Sequence, residues 1–278
     1  MVTMPIVTLT SDIGLQDFVV GAIKGQLLSV NALFNIVDIS HFLSHANYFQ
    51  AAYICSNAIK FYPANSFHLV LINVFENSNS HFLFIKHESQ FIICPDNGIA
   101  TLIIGKMPAE VLKIPIETGS TLLQITHTLA RFINAVHVQD YSAFQTTYRF
   151  KDIVEKYPLR ATIGENWMEG QILFIDNFEN VVVNITFQEF EQQRRGRSFG
   201  IGFAKSDVIN KLSNNYASVT DGDYLAWFNS AGYLELAINK GNMAGLFGLQ
   251  NYSEKMQELG NPSQNKWFYQ TARVYFDV

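Results

Sequence analysis

The spacing of apolar segments changes near residue 150, and this change constrains the fold more than any other feature of the chain. Before it, short β-branched runs such as residues 6–10 and 68–73 alternate with longer segments that are apolar at helical spacing. Strands that alternate with helices are typical of βαβ units and a largely parallel sheet. After it come short apolar runs separated by turn residues, the pattern of a small β-barrel. The sequence therefore predicts an α/β fold class with a smaller, second β domain.

The boundaries follow from turn residues and charge. The N-terminal α/β domain is assigned to residues 1–155, a linker to 156–170, where a proline and two glycines interrupt a charged stretch, and a C-terminal β-barrel domain to 171–278. The predicted strands are 6–10, 36–39, 68–73, 82–86 and 90–94, then 171–175, Val181–Thr186, Tyr224–Phe228, Tyr233–Ile238 and 267–276. The predicted helices are Val19–Val30, 48–61 and 122–136.

Composition excludes several classes of protein. The net charge is −5 with only 19 Lys and Arg, whereas proteins that follow a nucleic-acid backbone carry a basic excess, so we expect no nucleic-acid partner. The longest apolar runs are far short of the ~20 residues that cross a bilayer, so we expect no membrane partner and a cytoplasmic location. Two cysteines form no disulfide framework, and the seven histidines lack metal-ligand spacing, so no metal site is expected.

Polar loops follow several apolar strands, where open α/β sheets bind ligands. In the loop after the first strand, Asp12 or Asp17 can accept hydrogen bonds from two neighbouring hydroxyls, as a ribose diol offers; capping of the next helix is the alternative. In a second loop, the Asn180 amide suits a purine edge and Phe178 can stack on the base, although a hairpin turn also explains the segment. Ser230 lies in a third such turn.

Four segments together carry a resemblance to a known family. They are TLTSDIGLQDFVVGAIKG, CPDNGIATL, IDNFENVVVNI and NSAGYLELAINKGNMAGLFGL. In order and rough spacing they resemble the motifs of the S-adenosylmethionine hydroxide adenosyltransferases, relatives of the fluorinase and chlorinase enzymes. The resemblance spans most of residues 5–250.

The resemblance implies an N-terminal α/β domain, a C-terminal β-barrel, and a homotrimer that holds an adenosyl ligand between the N-domain of one subunit and the C-domain of its neighbour. S-adenosylmethionine is then the substrate, and no further cofactor is expected. One departure is Glu179, where the family has glycine. By similarity, Asp12 holds the ribose hydroxyls. Asn180 contacts the edge of adenine, and Phe178 and Tyr216 flank the base. At the methionine end, Asp17 lies nearby, Asp176 faces the amine and Ser230 binds the carboxylate.

The hydrolytic half of the family pattern is lost. Hydrolase members resemble one another in an Asp–Arg–His set that prepares water for displacement at the ribose C5′. Asn73 stands at the Asp position and Ser80 at the Arg position, and a gapless match places Glu117 near the histidine position. Asn is no general base and Ser carries no positive charge. The halogenases carry a tyrosine at the Asp position, and Asn73 and Phe75 do not reproduce that pattern.

Glu76 and His81 are near enough in sequence to supply a substitute set, because a histidine can orient or deprotonate water near neutral pH. The alternative is that His81 merely begins an exposed strand and that Glu76 faces solvent. Three functions therefore stay open: an S-adenosylmethionine hydrolase, a catalytically silent protein that binds S-adenosylmethionine or adenosine, and a scaffold trimer without a ligand.

Overall fold

The computed structural model describes residues 4–76, 80–139, 152–203, 208–249 and 270–277. The chain divides into two compact units, Met1–Pro158 and Leu159–Val278. In the described residues, no helix is both long and apolar enough to cross a membrane.

The first unit is a mixed α/β structure. Its strands are β1 (Ile6–Ser11), β2 (Asn35–Ser40), β3 (Phe67–Leu71), β4 (His81–His87), β5 (Gln90–Pro95) and β6 (Val111–Pro115). Its helices are α1 (Val19–Val30), α2 (Tyr48–Ala58), followed by the 3-10 turn Ile59–Phe61, α3 (Ile99–Ile104) and α4 (Leu122–His137).

These strands form one sheet in the order β2-β1-β3-β5-β4-β6. The pairs β1–β2, β1–β3 and β3–β5 are parallel, and β4 is antiparallel to both of its neighbours, so the predicted parallel-rich α/β fold is confirmed. In the register of β1 and β3, Ser11 lies opposite Leu71. The loops that contain Asp12 and Asn73 therefore leave the same edge of the sheet.

Apolar side chains cover both faces of the sheet, which explains why β3 is buried along its whole length. Leu69 and Leu71 pack in one cluster with residues of α1 and α4, whereas Val70 packs in another with residues of α2 and α3. Successive side chains of a strand point to opposite faces, so a continuous apolar run is what a strand between two helical layers requires.

The second unit is built mainly from antiparallel strands. They are β7 (Thr162–Ile163), β8 (Trp167–Ile175), β9 (Val181–Thr186), β10 (Phe199–Gly202), β11 (Val208–Ile209), β12 (Tyr224–Phe228), β13 (Tyr233–Ile238) and β14 (Thr271–Phe276). The helices α5 (Phe187–Arg194) and α6 (Met243–Leu246) and the 3-10 turn Tyr216–Ser218 connect them.

The strand order β11-β10-β14-β8-β9-β13-β12 describes a nearly closed sheet, with β7 paired to β8. Its two ends approach each other after β11, where the Ser213 N–H donates to the Ala226 carbonyl of β12 at 2.7 Å. A single apolar cluster, which includes Phe190 of α5 and Leu236 of β13, fills this unit. The predicted barrel-like second domain is therefore confirmed.

Several boundaries differ from those predicted. β8 begins at Trp167, so the end of the segment predicted as linker is strand. Within this strand, position 170 requires glycine because a Cβ there would lie 2.6 Å from the Val183 side chain on β9. Residues 267–269 of the last predicted strand lie outside the described residues. The helix predicted to reach residue 61 ends as an α-helix at Ala58 and continues as a 3-10 turn.

Candidate functional site

Asp12 follows β1 and makes contact with the loop that follows β3. The Asn73 N–H donates to Asp12 Oδ2 at 2.8 Å. Burial raises the pKa of Asp12 above its ordinary value, although the Asn73 N–H opposes this shift. The structure thus brings together two residues that are 61 positions apart and were both predicted as site residues.

Asn73 is held in a left-handed backbone conformation, with φ of 45°, which Asn tolerates better than most residues. The buried Asn97 amide supports it by donating to the carbonyls of Ile72 at 2.9 Å and Asn73 at 3.3 Å. The Asn73 side chain in turn donates from Nδ2 to the Tyr48 hydroxyl at 3.1 Å. The turn at residues 95–98 therefore shapes the loop that carries Asn73.

Tyr48 extends this network to two charged residues. Its hydroxyl donates to Glu76 Oε2, and Lys156 Nζ lies 3.6 Å from the same oxygen and 3.9 Å from the centre of the Tyr48 ring. Burial, together with the Glu76 carboxylate, raises the pKa of Tyr48, so the hydroxyl keeps its proton. We call Asp12, Tyr48, Asn73, Glu76 and Lys156 the Asp12 cluster.

Glu76 is partly exposed, as expected, but it is partnered rather than free in solvent. Tyr48 and Lys156 were missed by sequence analysis. Tyr48 lies on α2, and its aromatic ring reads as one more apolar position of that helix. Lys156 lies in a stretch that reads as a linker. No local pattern connects either residue to Asn73.

His81 begins β4, as expected, but its side chain is only 17% exposed. Its Nε2 lies 2.9 Å from Asp96 Oδ2, and the Val154 N–H donates to Asp96 Oδ1 at 2.8 Å. Burial raises the pKa of Asp96, but the contacts with His81 and Val154 outweigh it and hold that pKa below its ordinary value. His81 therefore has the carboxylate partner that orients a histidine for proton transfer.

His81 also lines a cavity of about 240 Å³ in the first unit. Phe75 and Glu117 line the same cavity, so the weak match that placed Glu117 at the family's histidine position corresponds to a residue near His81.

Ser80 is exposed, and its carbonyl accepts a hydrogen bond from the Ile116 N–H at 2.7 Å. Asp17 is exposed and accepts from the Val19 N–H at 2.9 Å, which is the helix-start contact considered as its alternative role.

A second polar group lies in the turn between β8 and β9. Asp176 Oδ1 accepts from the Phe178 N–H at 2.9 Å and from the Asn180 N–H at 2.8 Å, which orders the turn. Glu179 adopts a left-handed conformation with φ of 61°, where glycine is least strained. This backbone requirement explains why glycine suits the position in the family pattern. Among the described residues, Glu179 Oε2 is buried without a hydrogen-bond partner.

Asn180 is the centre of this second group. Its Nδ2 lies 2.9 Å from Asp176 Oδ2, 3.0 Å from Glu235 Oε1 and 2.6 Å from the Tyr216 hydroxyl. An amide nitrogen carries two hydrogens, so three acceptors compete for two donors. Burial raises the pKa values of Asp176 and Glu235, and the charge of Asp176 raises that of Glu235 further. We call Asp176, Asn180, Tyr216 and Glu235 the Asn180 cluster.

The other residues predicted in the second domain surround this cluster. Asn229 Nδ2 donates to Glu235 Oε2 at 3.0 Å, and Ser230 follows as an exposed residue of the hairpin turn between β12 and β13. Phe178 is 70% exposed, so its ring is open to a stacking partner. Glu235 was missed, although it lies within the fourth quoted motif. No group of three or more His, Cys, Asp or Glu suited to a metal ion occurs among the described residues.

The chain thus combines two units. The first is a parallel-rich α/β unit with polar residues at the carboxyl ends of β1 and β3, and the second is a barrel-like unit with a carboxylate–amide cluster. This combination defines a two-domain class of protein. Comparison with family models identifies that class. The model "SAM hydroxide adenosyltransferase N-terminal domain" matches residues 7–147, and the model "SAM hydroxide adenosyltransferase C-terminal domain" matches residues 170–255. The chain therefore belongs to the S-adenosylmethionine (SAM) hydroxide adenosyltransferase family.

The chain is also similar to a named relative in sequence and to two solved structures in fold. The chain is 23% identical over 262 residues to the (R)-S-adenosyl-L-methionine hydrolase of Methanocaldococcus jannaschii, in a match that covers 90% of this chain and 95% of the relative. A crystal structure of an uncharacterized conserved protein from Thermotoga maritima matches with a TM-score of 0.74 at 19% identity, over 97% of this chain and 99% of that one. A conserved hypothetical protein from Thermus thermophilus matches with a TM-score of 0.68 at 19% identity, over 98% and 100%.

Proposed function

We propose that this protein binds SAM and cleaves it with water to adenosine and methionine. The observation that carries the proposal is the state of the two ligand loops: Asp12 and Asn180 are both present and both held by specific hydrogen bonds. The similarity to a named SAM hydrolase supports the substrate class.

In this proposal individual residues of the two units bind different parts of the ligand. The Asp12 carboxylate accepts hydrogen bonds from the two ribose hydroxyls, and Asn180 binds the edge of adenine while Phe178 and Tyr216 flank the base. Asp176 faces the methionine amine, and Asp17 and Ser230 bind near the methionine end. The protein needs no further cofactor and assembles as a homotrimer, which light scattering of the purified protein tests as three times the mass of 31.5 kDa.

The proposed reaction is a displacement at the ribose C5′. The water oxygen forms a bond to C5′ while the C5′–S bond breaks, and its electron pair stays on sulfur, so a positively charged sulfonium becomes the neutral thioether of methionine. One proton of the water must leave. Glu76 and His81 are the candidate acceptors, and both lie in the first unit with Asn73. Holding water in line with C5′ supplies much of the rate enhancement.

A silent SAM-binding protein is the second candidate, and the residues at positions 73 and 80 favour it. Asn73 cannot accept a proton as the family Asp does, and Ser80 supplies no positive charge. This candidate predicts saturable binding of adenosine or SAM without any adenosine release.

The test is chromatography of the products after incubation with SAM, together with calorimetry of adenosine binding. The wild type should release adenosine and methionine in equal amounts, faster than the uncatalysed reaction. Asp12→Ala should lose both adenosine binding and adenosine release. Asn73→Asp should raise the rate of release because it restores a carboxylate. Binding without release would establish the silent protein. The absence of both would contradict any adenosyl function.

A further inference from the structure

Lys156 lies in the Asp12 cluster although it is far from Asp12 in the sequence. Its Nζ donates to the Asn97 carbonyl at 2.6 Å, lies 3.6 Å from Glu76 Oε2, and stands over the Tyr48 ring at 3.9 Å. Its side chain is one third exposed, so the charge is partly withdrawn from water. A lysine in a loop that only joins two elements would instead extend its ammonium group into solvent.

Two hydrogen bonds fix the main chain of Lys156, and a glycine leaves room for its stem. Its N–H donates to Thr101 Oγ1 at 3.0 Å, and the same hydroxyl donates to the Lys156 carbonyl at 2.8 Å. Gly98 makes room for the stem, because a Cβ at that position would lie 2.5 Å from Lys156 Cγ. The position of the ammonium group is therefore determined by the fold of the first unit.

The pair of Lys156 and Glu76 has unused hydrogen-bonding capacity. An ammonium group carries three donors, of which the Asn97 carbonyl and Glu76 take at most two. Both contacts of Glu76 go to Oε2, and no described residue donates to its Oε1. A donor and an acceptor are thus left side by side, beside the loop that contacts Asp12.

We propose that Lys156 and Glu76 hold and activate the attacking water, so that Lys156 supplies the positive charge that position 80 lacks. This inference rests on the proposed function. The Lys156 N–H donates to the water oxygen and Glu76 Oε1 accepts one water proton. The oxygen then bonds to C5′ as the C5′–S electron pair moves to sulfur. Lys156 remains protonated throughout, and Glu76 returns its proton to solvent.

Tyr48 is a positioning residue in this arrangement. Its hydroxyl donates to Glu76 Oε2 and accepts from Asn73 Nδ2, so it has no proton left for the water. It keeps the Glu76 carboxylate turned so that Oε1, rather than Oε2, is available. The loop of Asn73 thereby sets the orientation of Glu76, and the hydrogen bond to Asp12 links both residues to the proposed ribose site.

The test compares Lys156→Met, Lys156→Arg and Glu76→Gln with wild type in SAM turnover and in calorimetric adenosine binding. Removal of a group that activates the nucleophile should lower kcat by about 100-fold for Lys156→Met and Glu76→Gln. The adenosine Kd should stay within about twofold, because neither residue binds the nucleoside. Lys156→Arg should retain most of the rate because it keeps the charge. The matched control is Lys240→Met, which removes an exposed lysine paired with Asp221 and should change neither quantity.

The outcomes separate this inference from the proposed function. Turnover by the wild type with equal kcat in Lys156→Met overturns the role of Lys156 alone. A parallel loss of adenosine binding and of thermal stability in Lys156→Met would show a structural role and also overturns it. Wild-type protein that binds adenosine but releases none from SAM overturns the hydrolysis, and the water-activating pair with it.

Discussion

The Asn180 amide nitrogen lies within hydrogen-bond distance of three acceptors, and these contacts fix the orientation of its side chain. Its type and position were recognisable in sequence because it lies in a quoted motif. Its partners were only partly recognisable, since Glu235 is 55 positions away on β13 and reads as an ordinary strand residue. The sequence alone predicted that Asn180 binds adenine, and the structure shows that Asp176, Tyr216 and Glu235 orient its side chain.

Replacement of Asn180 by Ala should weaken adenosine binding by about 10- to 100-fold and lower the free energy of unfolding by about 1–3 kcal/mol. The loss of stability follows because the buried Glu235 and the half-buried Asp176 would lose the donor that they share. Calorimetry and urea unfolding measure the two effects. Asn177→Ala, in the same turn but exposed, is the control and should change neither; an unchanged adenosine Kd in Asn180→Ala would contradict the assigned role.

Elements whose apolar spacing is bounded by turn residues were predictable whether long or short, and several others were missed. The bounds of α1 and of strands β9, β12 and β13 agree with those predicted, because apolar spacing and turn residues define them. The prediction missed α5, although Thr186 and Glu189 form a capping box at its start, a signal that could have revealed it. The connection of residues 152–156 to the turn at 95–98 has no local signal, since it depends on contacts between distant segments.

The turn before α3 should be sensitive to substitution because it has to accommodate Lys156. Gly98→Ala places a Cβ at a backbone φ of +92° and against the Lys156 stem. It should therefore lower the free energy of unfolding by about 1–3 kcal/mol and reduce SAM turnover. Gly105→Ala is the matched control, because Gly105 also has a positive φ, of +75°, but open space around it. Equal effects of the two substitutions on stability and turnover would show that the contact with Lys156 is unimportant.

Strand β3 contains a buried histidine that should make stability depend on pH. Burial lowers the pKa of His68 to about 4, and its ring contacts Thr8 Oγ1 at 2.9 Å. The folded state therefore binds fewer protons than the unfolded state between about pH 6.5 and 4, so this contribution is present above that window and is lost as pH falls through it.

Urea unfolding at about pH 7 and about pH 4.5 tests this expectation. The free energy of unfolding should fall on acidification, and His68→Gln should show a smaller fall than the wild type. His127→Gln, which changes an exposed histidine of α4, should behave as the wild type does. An identical pH dependence in His68→Gln and wild type would refute the assignment to His68.

At the scale of the whole molecule, the two units carry complementary parts of the family pattern. The first presents the Asp12 cluster at the carboxyl ends of β1 and β3, and the second presents the Asn180 cluster in the β8–β9 turn. The change in apolar spacing near residue 150 was enough to predict an α/β unit followed by a barrel-like unit. What the motifs did not contain is the environment of Asn73, because Tyr48 and Lys156 reach Asn73 and Glu76 only through tertiary packing.

The central claim is that water attacks C5′ of SAM held by these residues. Incubation with SAM in ¹⁸O-labelled water, followed by mass spectrometry of the nucleoside, tests it most directly. The account predicts adenosine that carries one ¹⁸O atom at its 5′ position, together with unlabelled methionine. Adenosine without the label, or no adenosine above the rate in protein-free buffer, would contradict it.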